Sequence, residues 1–317
     1  MMGTMRSIPG RFPSIRASPF RVSGLKVYLF HRHWGGMRYG IKVAYDGSLF
    51  HGSQRQGSED ALSVEGAILE ALKRMGQHEA GGPHPIEFSS RTDAGVSSLG
   101  NVFAIETDMD PGELLKGLNA NLEGIWCIAY GRMREGQNIR WANSRWYRYH
   151  LPPGEMTGEQ TKDLNGALSE YVGRFDFTNL CRLEEGKDPV VQIDLARAQD
   201  LSGRGDLVII DMVGGRFLWN QVRRMVGAAL AVARGDLERE LLAELLKGPE
   251  ASDKALKVKD RIRTMPPTGL VLMDVIFKDI DFTIHPGAVE IARKRSHNQA
   301  WEASMKVLLH TALRSLL

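Results

Sequence analysis

The sequence predicts an α+β protein made of two ferredoxin-like halves, each with the order β-α-β-β-α-β. Three observations lead there. Segments of strand-like alternation and segments of helical apolar spacing follow one another in the same order twice between residues 37 and 280. Helix-start signals stand where that order needs them, at Asp110 and Thr157. No strand runs into a G-x-G-x-x-G turn, which argues against a Rossmann enzyme. The sheets of the two halves either join or face each other across a cleft.

In the first half, Tyr39, Ile41, Val43 and Tyr45 alternate with other residues, a strand with one buried face. Val64, Ala67, Ile68, Ala71, Leu72 and Met75 fall at helical spacing. Two strands follow, around 86–90 and 101–106. Asp110-Pro111-Gly112-Glu113 reads as a helix start, with a cap, a proline at the first helical position and a reciprocal acid. The run Ile125-Trp-Cys-Ile-Ala-Tyr130 closes the unit as a strand.

The second half opens with Tyr147, Tyr149 and Leu151 on one side of a strand over Arg145 to Leu151. Thr157 to Gln160 has capping-box spacing before a helix through Leu164, Leu168, Tyr171 and Val172. Val191, Ile193 and Leu195 alternate, and Leu207 to Val213 is a second apolar run, so two strands are expected. Phe217 to Ala233 reads as a helix, Asp236 to Lys247 as a further, inserted one, and Leu270 to Phe277 as the last strand.

Four parts result: a basic leader over 1–36, an N-terminal half over 37–142, a C-terminal half over 143–280 and a helical extension over 281–317. The leader holds Arg6, Arg11, Arg16, Arg21, Lys26 and Arg32 with no acid, while the whole chain carries only +3. The remainder is therefore net negative by three, and any nucleic-acid site must come from clustered charge. With Pro9, Pro13 and Pro19 and no sustained period, the leader reads as a disordered basic arm, a transit peptide or a stretch upstream of the true start. It is expected to lie outside the fold. The extension places Trp301, Met305, Leu308, Leu309, Ala312, Leu313 and Leu316 on one helical face, after the basic cluster Arg293-Lys-Arg295.

Hydrophobic residues at 43% and charged residues at 25% suit a soluble globular protein. No apolar run is long enough to span a bilayer, so no membrane partner is expected. Cys127 and Cys181 are the only cysteines, too few for a disulfide framework or zinc site. They point to a reducing compartment, with the cytoplasm the simplest address.

The chemistry concentrates in four stretches. Ser89 to Gly100 sets Asp93 beside Arg91, with Gly95 allowing a sharp turn. It reads either as a functional loop or as a helix cap made by Thr92 or Asp93. Tyr45-Asp46-Gly47-Ser48, continuing to Gln56, is good turn chemistry after the first strand and could also line a cleft. Arg145-Trp-Tyr-Arg-Tyr149 interleaves guanidiniums with aromatic rings. One face could stack a base while the other fills the core. In Gly215 to Gly227, Leu218, Val222 and Met225 mark a buried face, while Asn220, Arg223 and Arg224 are polar on an otherwise apolar helix. A buried Arg223 would need an acid, and Asp93 is the candidate. There is no H-E-x-x-H, no P-loop and no cysteine pair.

Together these segments resemble the tRNA pseudouridine synthase A family over about residues 38 to 278. The resemblance rests on Tyr45-Asp-Gly-Ser-x-Phe50-x-Gly52-x-Gln54, Arg91-Thr-Asp-Ala-Gly-Val96 with Gly100, and Asn119-x-Asn121-Leu122. It continues in Arg145-x-Tyr147-Arg-Tyr149, Asp176-Phe-Thr178, Phe217 with Val222-Arg223-x-x-Val226-Gly227, and Pro266-Pro-Thr-Gly-Leu270. Each motif is moderately specific, and their order and spacing together are highly so. Two details depart from the family: Ser53 stands where it usually has Trp, and Ser97 where it often has His.

The resemblance implies two similar halves sharing a pseudo-symmetric central antiparallel sheet, with an active-site cleft between them. It implies conversion of uridine to pseudouridine in the tRNA anticodon stem-loop at nucleotides 38, 39 or 40, by a homodimer, without cofactor or metal. On matching positions Asp93 is the catalytic acid, attacking the anomeric carbon or removing the proton beside it. A nearby arginine favours the ionised carboxylate that either role needs. Arg223 pairs with Asp93, and Tyr147 stacks on the flipped uracil. Arg91, Asp46 and Gln54 complete the substrate-binding set. The other readings are a nucleoside or glycoside hydrolase, and a tRNA-binding protein or chaperone with a degenerate site.

Overall fold

The computed structural model describes residues 20–22, 25–27, 36–54, 62–78, 85–152, 155–156, 160–201 and 208–297. The chain forms two compact units, 1–35 and 36–317. In the first, Phe20–Val22 (β1) and Leu25–Val27 (β2) pair as an antiparallel ribbon. No periodicity in the sequence announced it.

The second unit runs β3 (Met37–Tyr45), α1 (Val64–Arg74), β4 (Ile86–Phe88), β5 (Ser97–Thr107), α2 (Pro111–Asn121) and β6 (Ile125–Arg132). It continues with β7 (Ser144–His150), α3 (Thr161–Ser169), β8 (Gly173–Asp176), β9 (Val190–Asp200), β10 (Val208–Gly214) and α4 (Gln221–Ala233). It ends with α5 (Arg239–Leu245), α6 (Asp253–Lys259), β11 (Leu270–Ile276), β12 (Thr283–Ile284) and a helix α7 over 286–297. The strands make one ten-stranded sheet in the order β12-β6-β3-β5-β11-β7-β10-β9-β8, with β4 also on β5.

Local chemistry sets most boundaries. Ser63 caps α1 by accepting from Gly66 N, and Asp110 caps α2 by accepting from Gly112 N and Glu113 N. Helix α3 begins after Gln160, which makes no side-chain cap, and it stops before Tyr171 and Val172. Thr157 lies outside the described residues. Helix α4 starts four residues later than its apolar spacing suggests. Asn220 sits at φ 61°, a left-handed backbone that a helix interior excludes. The inserted helix is shorter too, since the extended backbone of Glu238 (φ −66°, ψ 135°) delays its start to Arg239.

The central sheet is mixed, which corrects the expectation of an antiparallel one. β11 pairs with β5 in parallel, Val271 with Ser97 and Leu272 with Ser98. The cause is the shortness of β4. Its three residues cover only Phe103 to Ile105 of the eleven-residue β5. The other end of the same edge is left for β11, which is itself antiparallel to β7. Ser98 Oγ donates to Leu272 O across this seam at 3.1 Å. Gly100 is needed there, since a Cβ would lie 2.7 Å from Asp274 Oδ1 and 2.8 Å from Met273 O. Lys42 donates to the Asp274 carboxylate from β3.

Two apolar cores result. Ile41, Val43 and Phe103 on one sheet face bury Ile68 and Leu72 of α1 and Leu114 and Leu118 of α2. The second core gathers Tyr149, Ile210 and Met212 with Leu164 and Leu168 of α3 and Met225 and Val226 of α4. It extends across the seam to Val102 and Ala104, on the opposite face of β5, beneath Phe277 and Ile280. Fully burying a side chain of this kind contributes about 1.5–3 kcal/mol. No helix among the described residues is long and apolar enough to cross a membrane. Arg295 of α7 donates to Asn119 O at 2.7 Å. Trp301 to Leu316 lie outside the described residues.

Candidate active site

Residues 89–96 leave β4 where β11 takes over the edge of β5, and side chains from several elements hold them. Asn101 Nδ2 donates to Ser90 O at 2.9 Å and to the Tyr45 hydroxyl at 3.1 Å. That hydroxyl lies 2.8 Å from Thr92 Oγ1. Thr92 N donates to Ser53 Oγ at 2.8 Å, and Ser53 N to Thr92 O at 3.1 Å. No helix starts here: a turn closes with Val96 N donating to Asp93 O at 3.1 Å, so Thr92 is a buried anchor rather than a helix cap. Gly95 takes φ 81°, which favours glycine.

Both departures from the family pattern fasten this loop. Ser53 is fully buried against Thr92, and Ser97 Oγ accepts from Gly47 N at 3.0 Å. Gly47 has no room for a side chain, because a Cβ would fall 2.2 Å from Val96 C and O.

Asp93 emerges from the loop toward α4. Its Oδ2 accepts from Arg223 Nη1 at 3.1 Å, and both side chains are partly exposed. Arg223 is fixed from two further sides, donating Nε to Met265 O at 2.6 Å and Nη1 to Asn220 Oδ1 at 3.1 Å. The left-handed Asn220 thus orients the arginine that reaches the carboxylate.

The β7 face supplies the floor. Arg145 and Tyr147 are two residues apart and both buried. Arg145 has no acid partner among the described residues; it donates to Ser90 Oγ (2.9 Å), Ser89 O (3.1 Å) and Arg140 O (2.8 Å), and also to Gly215 O. Burial lowers its pKa, partly offset by Tyr147, but a guanidinium keeps its charge. The Tyr147 ring meets Phe217 edge-on, centroids 5.2 Å apart at 82°. Burial pushes the Tyr147 hydroxyl well above its usual range. Tyr45 and Asp93 add to that and Arg145 opposes it. At neutral pH the phenol is therefore protonated and available as a donor.

These groups line a cavity of about 920 Å³, which Arg91 and Gln54 also line. Asp46 is not among the lining residues. Its Oδ1 accepts from Ser48 N (3.0 Å) and Ser48 Oγ (2.7 Å), closing the short turn Gly47–Leu49. At the rim stand Arg140, Lys187 and Arg216, together with Trp219, whose ring lies 4.0 Å below the Arg182 guanidinium. Trp219 and Gln221 escaped sequence reasoning because their stretch was read by its helical apolar face, which contains neither. Among the described residues no group of three or more His, Cys, Asp or Glu is placed to hold a metal ion.

The arrangement joins a carboxylate paired with a guanidinium, a protonated phenol and a cationic, aromatic rim. Such an arrangement suits chemistry on one base of a nucleic acid taken out of its stack. Comparison with known proteins gives the family. Residues 167–278 match the family model described as tRNA pseudouridine synthase. The chain is 34% identical over 254 residues to tRNA pseudouridine synthase A of Pyrococcus furiosus, covering 78% of this chain and 86% of that one. It is 35% identical over 259 residues to the protein of the same name from Pyrococcus horikoshii, covering 81% and 92%. A solved Cbf5-Nop10-Gar1 complex overlaps 60% of this chain and 45% of its own at TM-score 0.31 and 10% identity, too loosely to argue from. The chain belongs to the tRNA pseudouridine synthase family, isomerases that convert uridine to pseudouridine.

Proposed function

We propose that this cleft isomerises uridine in the anticodon stem-loop of tRNA, at nucleotides 38, 39 or 40, with Asp93 as the catalytic carboxylate. The observation that carries the reading is the Asp93–Arg223 pair beside Tyr147, in a chain whose relatives are named tRNA pseudouridine synthase A. The reaction breaks the bond from the ribose anomeric carbon to uracil N1. The ring turns, C5 bonds to the anomeric carbon, the C5 proton leaves to solvent and the freed N1 takes up a proton. One proton lost and one gained leave product and substrate as isomers, with no oxidant or reductant involved. Asp93 either attacks the anomeric carbon or takes the proton beside it, while Arg223 holds it in place.

Tyr147 stacks on the extruded uracil and, being protonated, serves as a donor. Arg91 and Gln54 contact substrate from the loop side, and Asp46 serves by keeping the Gly47–Leu49 turn in shape. The rim cations take phosphates. The parts are a leader over 1–36, halves over 37–142 and 143–280, and an extension over 281–317. Strands β6-β3-β5-β4 and β11-β7-β10-β9 fall in the same fourth-first-third-second order, which supports two ferredoxin-like halves within one sheet. A homodimer with tRNA touching both subunits follows from the family resemblance. Free Cys127 and Cys181 suit the cytoplasm.

The test is Asp93→Asn with tRNA labelled by tritium at uracil C5. The variant should bind tRNA within a few-fold of wild type and release no tritium. Full release would refute the assignment. Free uracil as the main wild-type product would favour a hydrolase, and binding with no isomer formed would favour a tRNA chaperone.

A further inference from the structure

Two residues that line this cavity each carry a buried polar atom with no hydrogen-bond partner among the described residues: Gln221 Nε2 and Ser89 Oγ. Gln221 is fully buried and Ser89 nearly so. A buried donor left unpaired is costly, and most buried polar groups are paired. Two in one cavity, beside Tyr147 and Asp93, call for a ligand that satisfies them.

Gln221 also has a fixed direction. Its Oε1 accepts from Leu218 N at 2.8 Å, in the turn that leads into α4. That bond decides which end of the amide is which, so the unpaired end is the NH₂ and can only donate. Its partner must be an acceptor. A phosphate is better served at the rim, where Lys187, Arg216 and Arg140 stand. A buried neutral donor suits a neutral carbonyl.

We infer that Gln221 Nε2 is a specificity-determining contact, donating to a carbonyl oxygen of the target uracil, with the Ser89 hydroxyl as a second contact to the same base. The inference rests on the base-modifying reading of the cleft and adds the group that recognises the base. Glutamine supplies both halves of the device in one side chain, since Oε1 holds the turn while Nε2 reads the ring.

Gln221→Glu separates the two roles. A carboxylate at 221 still accepts from Leu218 N and keeps the turn, but it presents an acceptor where the donor was. Single-turnover isomerisation at saturating enzyme, on a tRNA transcript with uridine at the target, should slow about 10- to 100-fold, the equivalent of one buried hydrogen bond. tRNA affinity should stay within a few-fold. The deciding measurement repeats the comparison with 2-thiouridine and with 4-thiouridine at the target. Sulfur accepts hydrogen bonds weakly, so with the analogue altered at the contacted carbonyl the penalty should shrink to about twofold. A purely structural role would leave the penalty equal on all three substrates.

Wild-type speed in Gln221→Glu, or an equal penalty on uridine and both thio analogues, overturns the inference. If that variant fails to fold, Gln221→Met goes through the same cycle with the same criteria. A wild-type protein that forms no pseudouridine at all overturns the reading beneath the inference, and the two failures are distinguished in one assay.

Discussion

Arg223 donates Nη1 to Asp93 Oδ2 over 3.1 Å from 130 positions further along the chain. The contact is pre-set rather than opportunistic, because Met265 O and Asn220 Oδ1 hold the same guanidinium. A planar fork is required: one headgroup has to serve a carbonyl, an amide and a carboxylate in three directions. Lysine keeps the charge but not the fork.

Arg223→Lys should therefore lower kcat about 10²- to 10³-fold, the scale seen when one pre-organised donor is removed from a catalytic site. tRNA affinity should change little if, as proposed, the rim cations take the phosphate contacts. Tritium release from uracil C5 and a filter-binding titration measure the two quantities separately.

Gly47 is the second sensitive point. A Cβ there would collide with backbone atoms of Val96, and backbone cannot swing aside as a side-chain end can. Gly47→Ala should destabilise the fold by about 1–3 kcal/mol, the usual range for overpacking. The shift is read from the urea midpoint at unchanged slope. Activity should fall further than stability, since the only relief is to move the loop that carries Asp93.

The thiols and phenols give a pH prediction. Burial pushes Cys127 up to about 12 from its ordinary 9.0, and Cys181 up to about 11. Burial also raises Tyr45 and Tyr171. A pKa raised in the folded state contributes stability that is complete below the unfolded value and is lost as pH rises toward the folded one. From these groups stability should therefore change little between neutral pH and about pH 9 and decline through pH 12. Cys127→Ala should remove part of that slope. Alkylation followed by mass spectrometry should label half-buried Cys181 first and Cys127 only on unfolding.

Much of this was legible because it is local. Tyr39, Ile41, Val43 and Tyr45 are all buried, as their alternation required. The same period put Arg145 and Tyr147 on one face of β7. Asp110 caps α2 and Pro111 opens it, as their spacing named, while the expected reciprocal acid Glu113 pairs with Lys116. An acid partner for Arg223 could be nominated from the residue types alone. What escaped depends on distance or on competition. The parallel pairing of β5 with β11 joins residues more than 170 positions apart and hangs on the shortness of β4, a length that no pattern in either partner records. β8, β12 and α6 are too short for a period to show. Asp46 sits in a motif that suggested the cleft, yet its carboxylate turns back on Ser48, as aspartates in tight turns often do. Gln221 was hidden because the stretch was read by the apolar face of Leu218, Val222 and Met225, to which it does not belong.

The position of β11 has a consequence for how the protein comes to be active. Of the long strands in the sheet it is synthesised last, yet it lies in the middle, between β5 and β7. The sheet cannot be finished from one edge to the other in the order in which the ribosome delivers it. A gap must stay open at β5 until Leu270–Ile276 arrives, and such late, long-range closure makes for slow folding at high contact order. Until then the start of β5, and with it the foot of the Asp93 loop, is an unpaired edge exposed to other chains. The Asp93 loop thereby gains its final footing only once Leu270–Ile276 has been made.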